Sequence, residues 1–441
     1  VPARRISLIL LVLIGLLGVY WATTKVNFVG SGEPAAEAPE AIGERNGFET
    51  AVGEAPDGRS VIDYARIDSR LRRLMEKPSM VGLAVGIIEG GEIRFLQGYG
   101  TTASNSEEPV TVDTVFRWAS VSKGVAGDMV ALLAHENKLS LFDPINRWAS
   151  SLRLPGGAEE RATVSDVLTH RLGLFGHAQD SKLEDDYDPR WLRSTLSTLR
   201  QICSPGQCHA YQNVAYDAAS EVVERVTGEP YRNVVRDRLF LPLGMTSASM
   251  TRAALLASPS WARPHAGGRN ARPVEVTEAY YRVPAAGGVN SSIKDLALWM
   301  RAQMGLAPEV LPIPVLQAVQ EPRAATPGEN RRRRRQAERI GNSFYGLGWR
   351  VYDYAGRRVI GHRGGVRGYR ALIMFDPARR TGVVALWNSS AAQPGGIELE
   401  VMDMLYGLPF QDWLQLDSEP GAAPAPEPAE TPENGIESSG L

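Results

Sequence analysis

Apolar residues recur at helical spacing between Ile62 and Glu76, at Tyr64, Ile67, Leu71, Leu74 and Met75, and Pro78 closes the run. The next two apolar stretches, VGLAVGIIE and IRFLQGYG, are separated by Gly90 and Gly91 and predict a β-hairpin. From Phe116 to Pro144 the chain reads FRWASVSKGVAGDMVALLAHENKLSLFDP, in which Val125, Met129, Leu132 and Leu133 predict an enclosed helix. Further helical patterns end at Asp166 to His170, run from Asn213 to Thr227 before Gly228 and Pro230, and occupy SSIKDLALWM with Ser291 or Ser292 as cap. Beyond them the pattern returns to strands: YGLGWRVYD, RRVIGH, YRALIMFD and TGVVALWN, each bounded by Gly, Asp, Asn or Pro. Strands at both ends with helices between them predict an α+β fold. One antiparallel sheet flanked by helices would be built from about 59–115 and 341–410, with a mainly helical lobe over about 116–340 inserted into it. The crevice between two such lobes is where a ligand pocket is expected.

The flanks differ in character. Arg4 and Arg5 precede an uncharged apolar run from Ile6 to Ala22, so residues 1–25 read as a membrane anchor or, alternatively, a cleaved signal segment. Both readings export the protein, and the leading arginines place the N-terminus in the cytoplasm and the remainder outside. Residues 26–58 and 411–441, rich in Ala, Glu, Pro and Gly, read as a flexible linker and a disordered tail around a folded domain over 59–410.

With 441 residues, 43% of them hydrophobic, the chain can bury a substantial core, and a formal net charge of -2 supplies no global basic field for nucleic acid. The local exception is Arg331 to Arg335, which reads as a solvated loop or, in a tethered protein, as an attraction to an acidic membrane surface or cell-wall polymer. The two cysteines, Cys203 and Cys208, flank Pro205 and Gly206, the residues that a type II turn takes at its centre. In an exported chain they read as a disulfide, the alternatives being free thiols or a metal shared with His209.

Candidate chemistry starts at Ser120 and Lys123. Three positions apart at the start of a helix, a hydroxyl and an amine lie on one face, and an amine in apolar surroundings loses its proton more easily. The helix N-terminus adds free N–H groups for a developing oxyanion. Gly124, Ala126 and Gly127 are small, as close packing against that helix requires. A second element, His209-Ala210-Tyr211-Gln212-Asn213, puts Tyr211 and Asn213 two apart in an extended segment, where they point the same way. Beside Lys123, Tyr211 would lose proton affinity and relay protons, while Asn213 would bond both Lys123 and a substrate amide. The third element is GHRGGVRGYR. There His362 would present a donor or a positive charge to the substrate, Gly364 would let a backbone approach, and the Gly365 N–H would join that of Ser120 around an oxyanion.

Ser-x-x-Lys, Tyr-x-Asn and His-x-Gly in this order resemble the serine β-lactamase and penicillin-binding protein superfamily. The similarity is greatest to its class C-like branch, which includes class C β-lactamases, D-alanyl-D-alanine carboxypeptidases and family VIII esterases. VFRWASVSKG, LTHRLGL, LFLPLGM, GGVNSSIKDLALWM, YGLGW and VVALWN extend the likeness from about Ile62 to Gly407. The resemblance implies a β-lactamase/transpeptidase-like fold. It also implies a serine hydrolase that works through an acyl-enzyme on Ser120, with Lys123, Tyr211 and His362 catalytic and no cofactor required. It further implies an amide, lactam or ester substrate, with peptidoglycan-derived peptides among the candidates; the N-terminal segment, read as an anchor, would hold the protein on the periplasmic face of a bacterial inner membrane. A family VIII-like carboxylesterase or transacylase, or a non-catalytic peptidoglycan or β-lactam binder, are the competing readings. Two departures stand out: His170-Arg171-Leu172-Gly173-Leu174 where relatives often read His-Thr-Ser-Gly-Leu, and His362 in place of the lysine usual in class C β-lactamases.

Overall fold

A computed structural model describes residues 60–268, 271–332 and 334–417. The anchor or signal segment read over 1–25, the linker over 26–58, most of the tail from 411 and most of the run Arg331 to Arg335 lie outside the described residues or their described side chains.

Eight strands form one antiparallel sheet. They are β1 (Gly82–Glu89), β2 (Glu92–Gly100), β3 (Ala324–Ala325), β4 (Ile340–Tyr345), β5 (Arg350–Tyr354), β6 (Arg357–Val366), β7 (Tyr369–Asp376) and β8 (Thr381–Trp387), in the order β2-β1-β8-β7-β6-β5-β4-β3. The N-terminal hairpin therefore docks on the C-terminal meander through β1 and β8, with Leu83 opposite Trp387 and Ile88 opposite Gly382. Both of these strands are buried along nearly their whole length, which their near-continuous apolar sequences require. On one face, α1 (Tyr64–Met75) turns Ile67, Leu71 and Leu74 onto Leu83, Val85, Ile87, Val383 and Ala385, joined by Ile397 and Val401 of the C-terminal helix Ile397–Leu405. The Asp63 side chain caps α1 by accepting from the Arg66 N–H. On the other face the helix Ile293–Gln303, capped by Ser292, packs against β1 and β8. A Cβ at Gly86 would stand 3.7 Å from that of Ala297, so the central strand approaches this helix closely.

Three expectations change in detail. YGLGWRVYD is not one strand: β4 ends at Tyr345 and β5 begins at Arg350, because Gly348 adopts φ +80° in the turn between them. The helix expected from Asn213 starts at Ala218 and runs to Thr227, preceded by a turn that frees Asn213 to face the site. The first residues of the expected tail, 411–417, are ordered: Leu414 is buried, and Asp412 and Asp417 pair with Arg70, which is also clamped by Glu400. The apolar residues of QDWLQL reach back onto the first helical layer, which composition alone conceals.

The helix that follows Ser120, α2 (Ser122–His135), is buried over its first three turns. Its two glycines are contact points. A Cβ at Gly124 would meet the Trp349 ring at 2.6 Å, and one at Gly127 would meet the Leu347 carbonyl oxygen at 2.0 Å. The turn between β4 and β5 thereby presses directly on the back of α2.

On helix propensity alone Gly127→Ala would gain about 1 kcal/mol. The contact with Leu347 reverses the sign, and a loss of about 1–3 kcal/mol is expected in urea denaturation, as for other overpacked interiors. A variant as stable as the parent would show that the turn does not bear on the helix as described.

Candidate active site

Ser120 sits in a single 3₁₀ turn, Ala119–Val121, immediately before α2. The turn is held by a two-residue strand, Phe116–Arg117, paired with Asn290–Ser291, and by the Trp118 indole N–H donating to Ser291 Oγ at 2.8 Å. Ala119 adopts φ +47°, a left-handed conformation rare for a residue with a side chain, and this sharp reversal presents Ser120 at the helix N-terminus. Gly364 makes the approach of β6 possible. A Cβ there would lie 2.1 Å from the Trp118 carbonyl oxygen and 3.1 Å from the Ser120 nitrogen.

The ladder also orients the Gly365 N–H, expected as the second oxyanion donor. Val366 and Tyr369 close a two-residue turn and so form a hydrogen-bonded pair; alternation along the strands then turns the Gly365 N–H away from β7. The edge it faces is open, because β5 stops opposite Gly361 at Arg350. Gly365 and Ser120 thus offer backbone N–H groups on adjoining segments, as an oxyanion hole needs.

Lys123, the second residue of α2 and one turn from Ser120, is completely buried. Its Nζ lies 2.6 Å from Asn213 Oδ1, 2.9 Å from the Ala286 carbonyl oxygen and 3.4 Å from Ser120 Oγ. Burial pushes its pKa down to about 7; Asp180 and Asp217 oppose this, and Arg350 reinforces it. The contacts also decide where the lone pair of the neutral amine points. Asn213 Oδ1 and the Ala286 carbonyl can only accept, so they take the two hydrogens, and the lone pair is left for the Ser120 hydroxyl. Asn213 cannot flip, because its Nδ2 donates to Asp180 Oδ2 at 2.6 Å. Asp217 fixes the other acceptor: it takes the Ala285 N–H at 3.0 Å and is itself paired with Arg193. Asn213, expected to touch substrate, is thus first a positioning group for Lys123.

Tyr211 lies over the same amine, with Lys123 Nζ 4.6 Å from its ring centroid, and has the Ser120 and Tyr345 hydroxyls as polar neighbours. The expected fall in its proton affinity does not occur. Burial pushes the phenol up to about 12, against the lowering effect of Arg350, so Tyr211 is a hydroxyl and not a phenolate at neutral pH. His362 is more enclosed than expected. It is only 1% exposed, with Nε2 2.8 Å from the Tyr345 hydroxyl and Nδ1 2.7 Å from the Arg363 carbonyl oxygen, and its ring lies 6.4 Å from that of Tyr211.

Asp180, Ala286, Tyr345 and Arg350 are the functional neighbours that motif reading missed. Tyr345 and Arg350 flank the Gly-Leu-Gly-Trp turn, where the aromatic and the cation at its two ends were the available signal. Asp180 lies in a segment with no recognisable spacing, and its role depends on a contact across the fold with Asn213.

The tyrosine segment is held by two loops. Cys203 and Cys208 are joined in a disulfide, and Gly206 takes φ +84° in the turn from Ser204 to Gln207. Arg171, which replaces the threonine of many relatives, donates to the Gly206 carbonyl at 3.1 Å and pairs with Asp166, so its charge serves the cystine turn. His170 accepts the Gln212 N–H at Nδ1 and its carbonyl accepts from the Ala210 N–H, bracketing Tyr211 on both sides. Burial keeps His170 well below the ordinary histidine range and lowers His209 to about 4, so both rings beside Tyr211 and Tyr345 are neutral. Among the described residues no group of three or more His, Cys, Asp or Glu side chains is arranged to hold a metal ion.

Because the cystine turn braces Tyr211, mild reduction should lower turnover before it lowers the melting temperature. Parallel assays of rate and thermal unfolding over a reductant series check this, and an unchanged rate in fully reduced protein would contradict it.

The chain is similar to known proteins. An unguisins hydrolase, ungD', from Aspergillus campestris (strain IBT 28561) is 26% identical over 342 residues, covering 74% of this chain and 61% of the relative. Esterase EstB from Burkholderia gladioli is 29% identical over 206 residues, 43% of this chain and 52% of the relative. The chain therefore spans between about half and two thirds of the length of these relatives. The octameric penicillin-binding protein homologue from Pyrococcus abyssi has the same fold, with a TM-score of 0.70 at 22% identity over 79% of this chain and 78% of that one. The Beta-lactamase family model matches residues 67–402, which include Ser120, Lys123, Tyr211 and His362, and the chain belongs to that family.

Proposed function

We propose that this protein is a serine hydrolase that cleaves an amide, lactam or ester bond through an acyl-enzyme on Ser120. The observation that carries the reading is the buried amine of Lys123, whose lone pair is directed at the Ser120 hydroxyl by two acceptors that can be satisfied in no other way. In acylation, Ser120 Oγ bonds to the substrate carbonyl carbon and its proton passes to Lys123 Nζ. The oxyanion lies against the Ser120 and Gly365 N–H groups. The bond to the leaving group then breaks, and the proton held on Lys123 returns to the leaving group, directly or by way of the Tyr211 hydroxyl. Water then releases the acyl group.

A carboxylesterase or transacylase is the second reading, favoured by the likeness to EstB and by His362 in place of the lysine usual in class C β-lactamases. We also read the protein as exported, with a peptidoglycan-derived peptide or a small ester as substrate. The Cys203–Cys208 bond and the apolar run from Ile6 to Ala22 after Arg4 and Arg5 support that location. Among the described residues, which exclude that run, no helix is long and apolar enough to cross a membrane.

Incubation of the full chain with a penicillin, followed by intact mass over time, tests the assignment. A covalent adduct or loss of drug is expected from the parent and neither from a folded Ser120→Ala variant. Hydrolysis retained in Ser120→Ala would overturn the role of Ser120. Reversible drug binding without either product, together with inertness toward ester and D-amino-acid peptide substrates, would favour a non-catalytic binding protein.

A further inference from the structure

The phenol of Tyr211 poses a chemical problem: with a pKa near 12 it cannot serve as a standing base, yet it is a hydroxyl neighbour of the nucleophile. A neutral phenol can accept a proton only if it gives up its own in the same event. The groups behind it supply that outlet. Tyr345, at the end of β4, has its hydroxyl 2.8 Å from His362 Nε2 and is a polar neighbour of the Tyr211 hydroxyl on its other side. The rings meet edge to face, at 6.2 Å for Tyr211 with Tyr345 and 5.8 Å for Tyr345 with His362.

Hydrogen counting gives the chain a direction. The Arg363 carbonyl oxygen can only accept, so His362 Nδ1, 2.7 Å away, carries a hydrogen in every protonation state. In the neutral ring Nε2 is then the acceptor and takes the single hydrogen of Tyr345. The Tyr345 oxygen keeps its lone pairs and can accept the hydrogen of Tyr211, which would leave the Tyr211 oxygen a lone pair for the reacting centre. Each hydroxyl has one hydrogen, so fixing the histidine tautomer orients the whole row.

We propose that Tyr345 and His362 form a proton relay behind Tyr211 that carries the proton of the deacylating water. The inference rests on the acyl-enzyme reading above. Acylation does not need the relay, because Lys123 already faces the serine proton. In the acyl-enzyme that hydroxyl hydrogen is gone and a water must be deprotonated instead. As the water oxygen bonds to the acyl carbon, its proton passes to the Tyr211 oxygen, the Tyr211 proton to Tyr345 and the Tyr345 proton to His362 Nε2, which becomes imidazolium. When the carbon–Oγ bond breaks, the same row runs backwards. His362 returns its proton to Tyr345, Tyr345 to Tyr211, and Tyr211 protonates Ser120 Oγ. The cycle needs no other reactant. Tyr345 and His362 are positioning residues in this scheme, since only Tyr211 meets the reacting atoms.

Two measurements on the full chain test the relay. The first is the lifetime of the penicillin adduct in Tyr345→Phe, which keeps the ring but lacks the relaying hydroxyl, in His362→Gln, and in the double variant. Release should slow at least about tenfold in each single variant, out of proportion to any change in acylation, and no further in the double variant. Release at the parent rate in Tyr345→Phe, or separate costs that multiply in the double variant, would overturn the proposal. The second is histidine-selective ¹⁵N NMR of the resting protein, with the His362 signals assigned by their loss in His362→Gln. The neutral ring should carry its hydrogen on Nδ1, and its Nε2 signal should move in Tyr345→Phe. A hydrogen on Nε2 of the neutral ring would refute the relay. This spectrum needs no turnover, so it tests the hydrogen-bonded row even where penicillin forms no adduct, and failure of the hydrolase reading is told apart from failure of the relay.

Discussion

Burying an amine without a permanent counter-charge in contact is the constraint on which the site depends. Removing an ammonium from water disfavours its charged form, and here the hydrogen-bonding neighbours of the Lys123 amine are a carboxamide, a backbone carbonyl and the Ser120 hydroxyl. The nearest carboxylates stand one residue back. Asp180 acts through Asn213, and Asp217 acts through the Ala285–Ala286 turn, so both orient the acceptors that touch the amine without neutralising it directly. A carboxylate in contact would stabilise the ammonium and extinguish the base. The dry setting comes from packing: Trp349 against Gly124 and Leu347 against Gly127 close the back of the helix and leave Ser120 as the accessible end.

The same constraint explains why the sheet matters to the chemistry. β6 passes within contact distance of the nucleophile turn only because residue 364 has no side chain, and it brings His362 and the Gly365 N–H to the site together. β4 contributes Tyr345, the turn after it contributes the groups behind the helix, and β5 begins with Arg350, whose charge lowers the proton affinity of Lys123, Tyr211 and His209. One hairpin therefore supplies the back wall, a relay hydroxyl and the dominant local cation.

Most of the scaffold was legible in the sequence because it follows from periodicity. The α1 stripe, the Gly90-Gly91 hairpin and the apolar C-terminal strands each encode a buried face; spacing puts Ser120 with Lys123 and Tyr211 with Asn213, and the family resemblance implied that the two pairs meet. What was not legible depends on distant contacts. The proton affinity of Tyr211 is set by burial, which outweighs the adjacent charge and reverses the expected direction of its shift. The orientation of His362 follows from its partners Tyr345 and the Arg363 carbonyl, which no motif specifies. Asp180 is one acid among many until the fold places it on Asn213. Arg171 stands in the sequence only as a departure from a threonine, and the fold commits it to the Gly206 carbonyl and Asp166.

The central claim is that Lys123 is a neutral base at physiological pH, and direct titration of its side chain tests it most closely. The chain has six lysines, so ¹³Cε-labelled lysine gives a spectrum simple enough to assign, with Lys123→Met identifying the signal. The pKa of this amine should lie near 7, with the charged form present below that pH and the neutral form above it, while exposed lysines titrate near their ordinary value of about 10.4. A Lys123 signal that stays charged up to pH 10 would contradict the account, because the amine could not then accept the proton of Ser120.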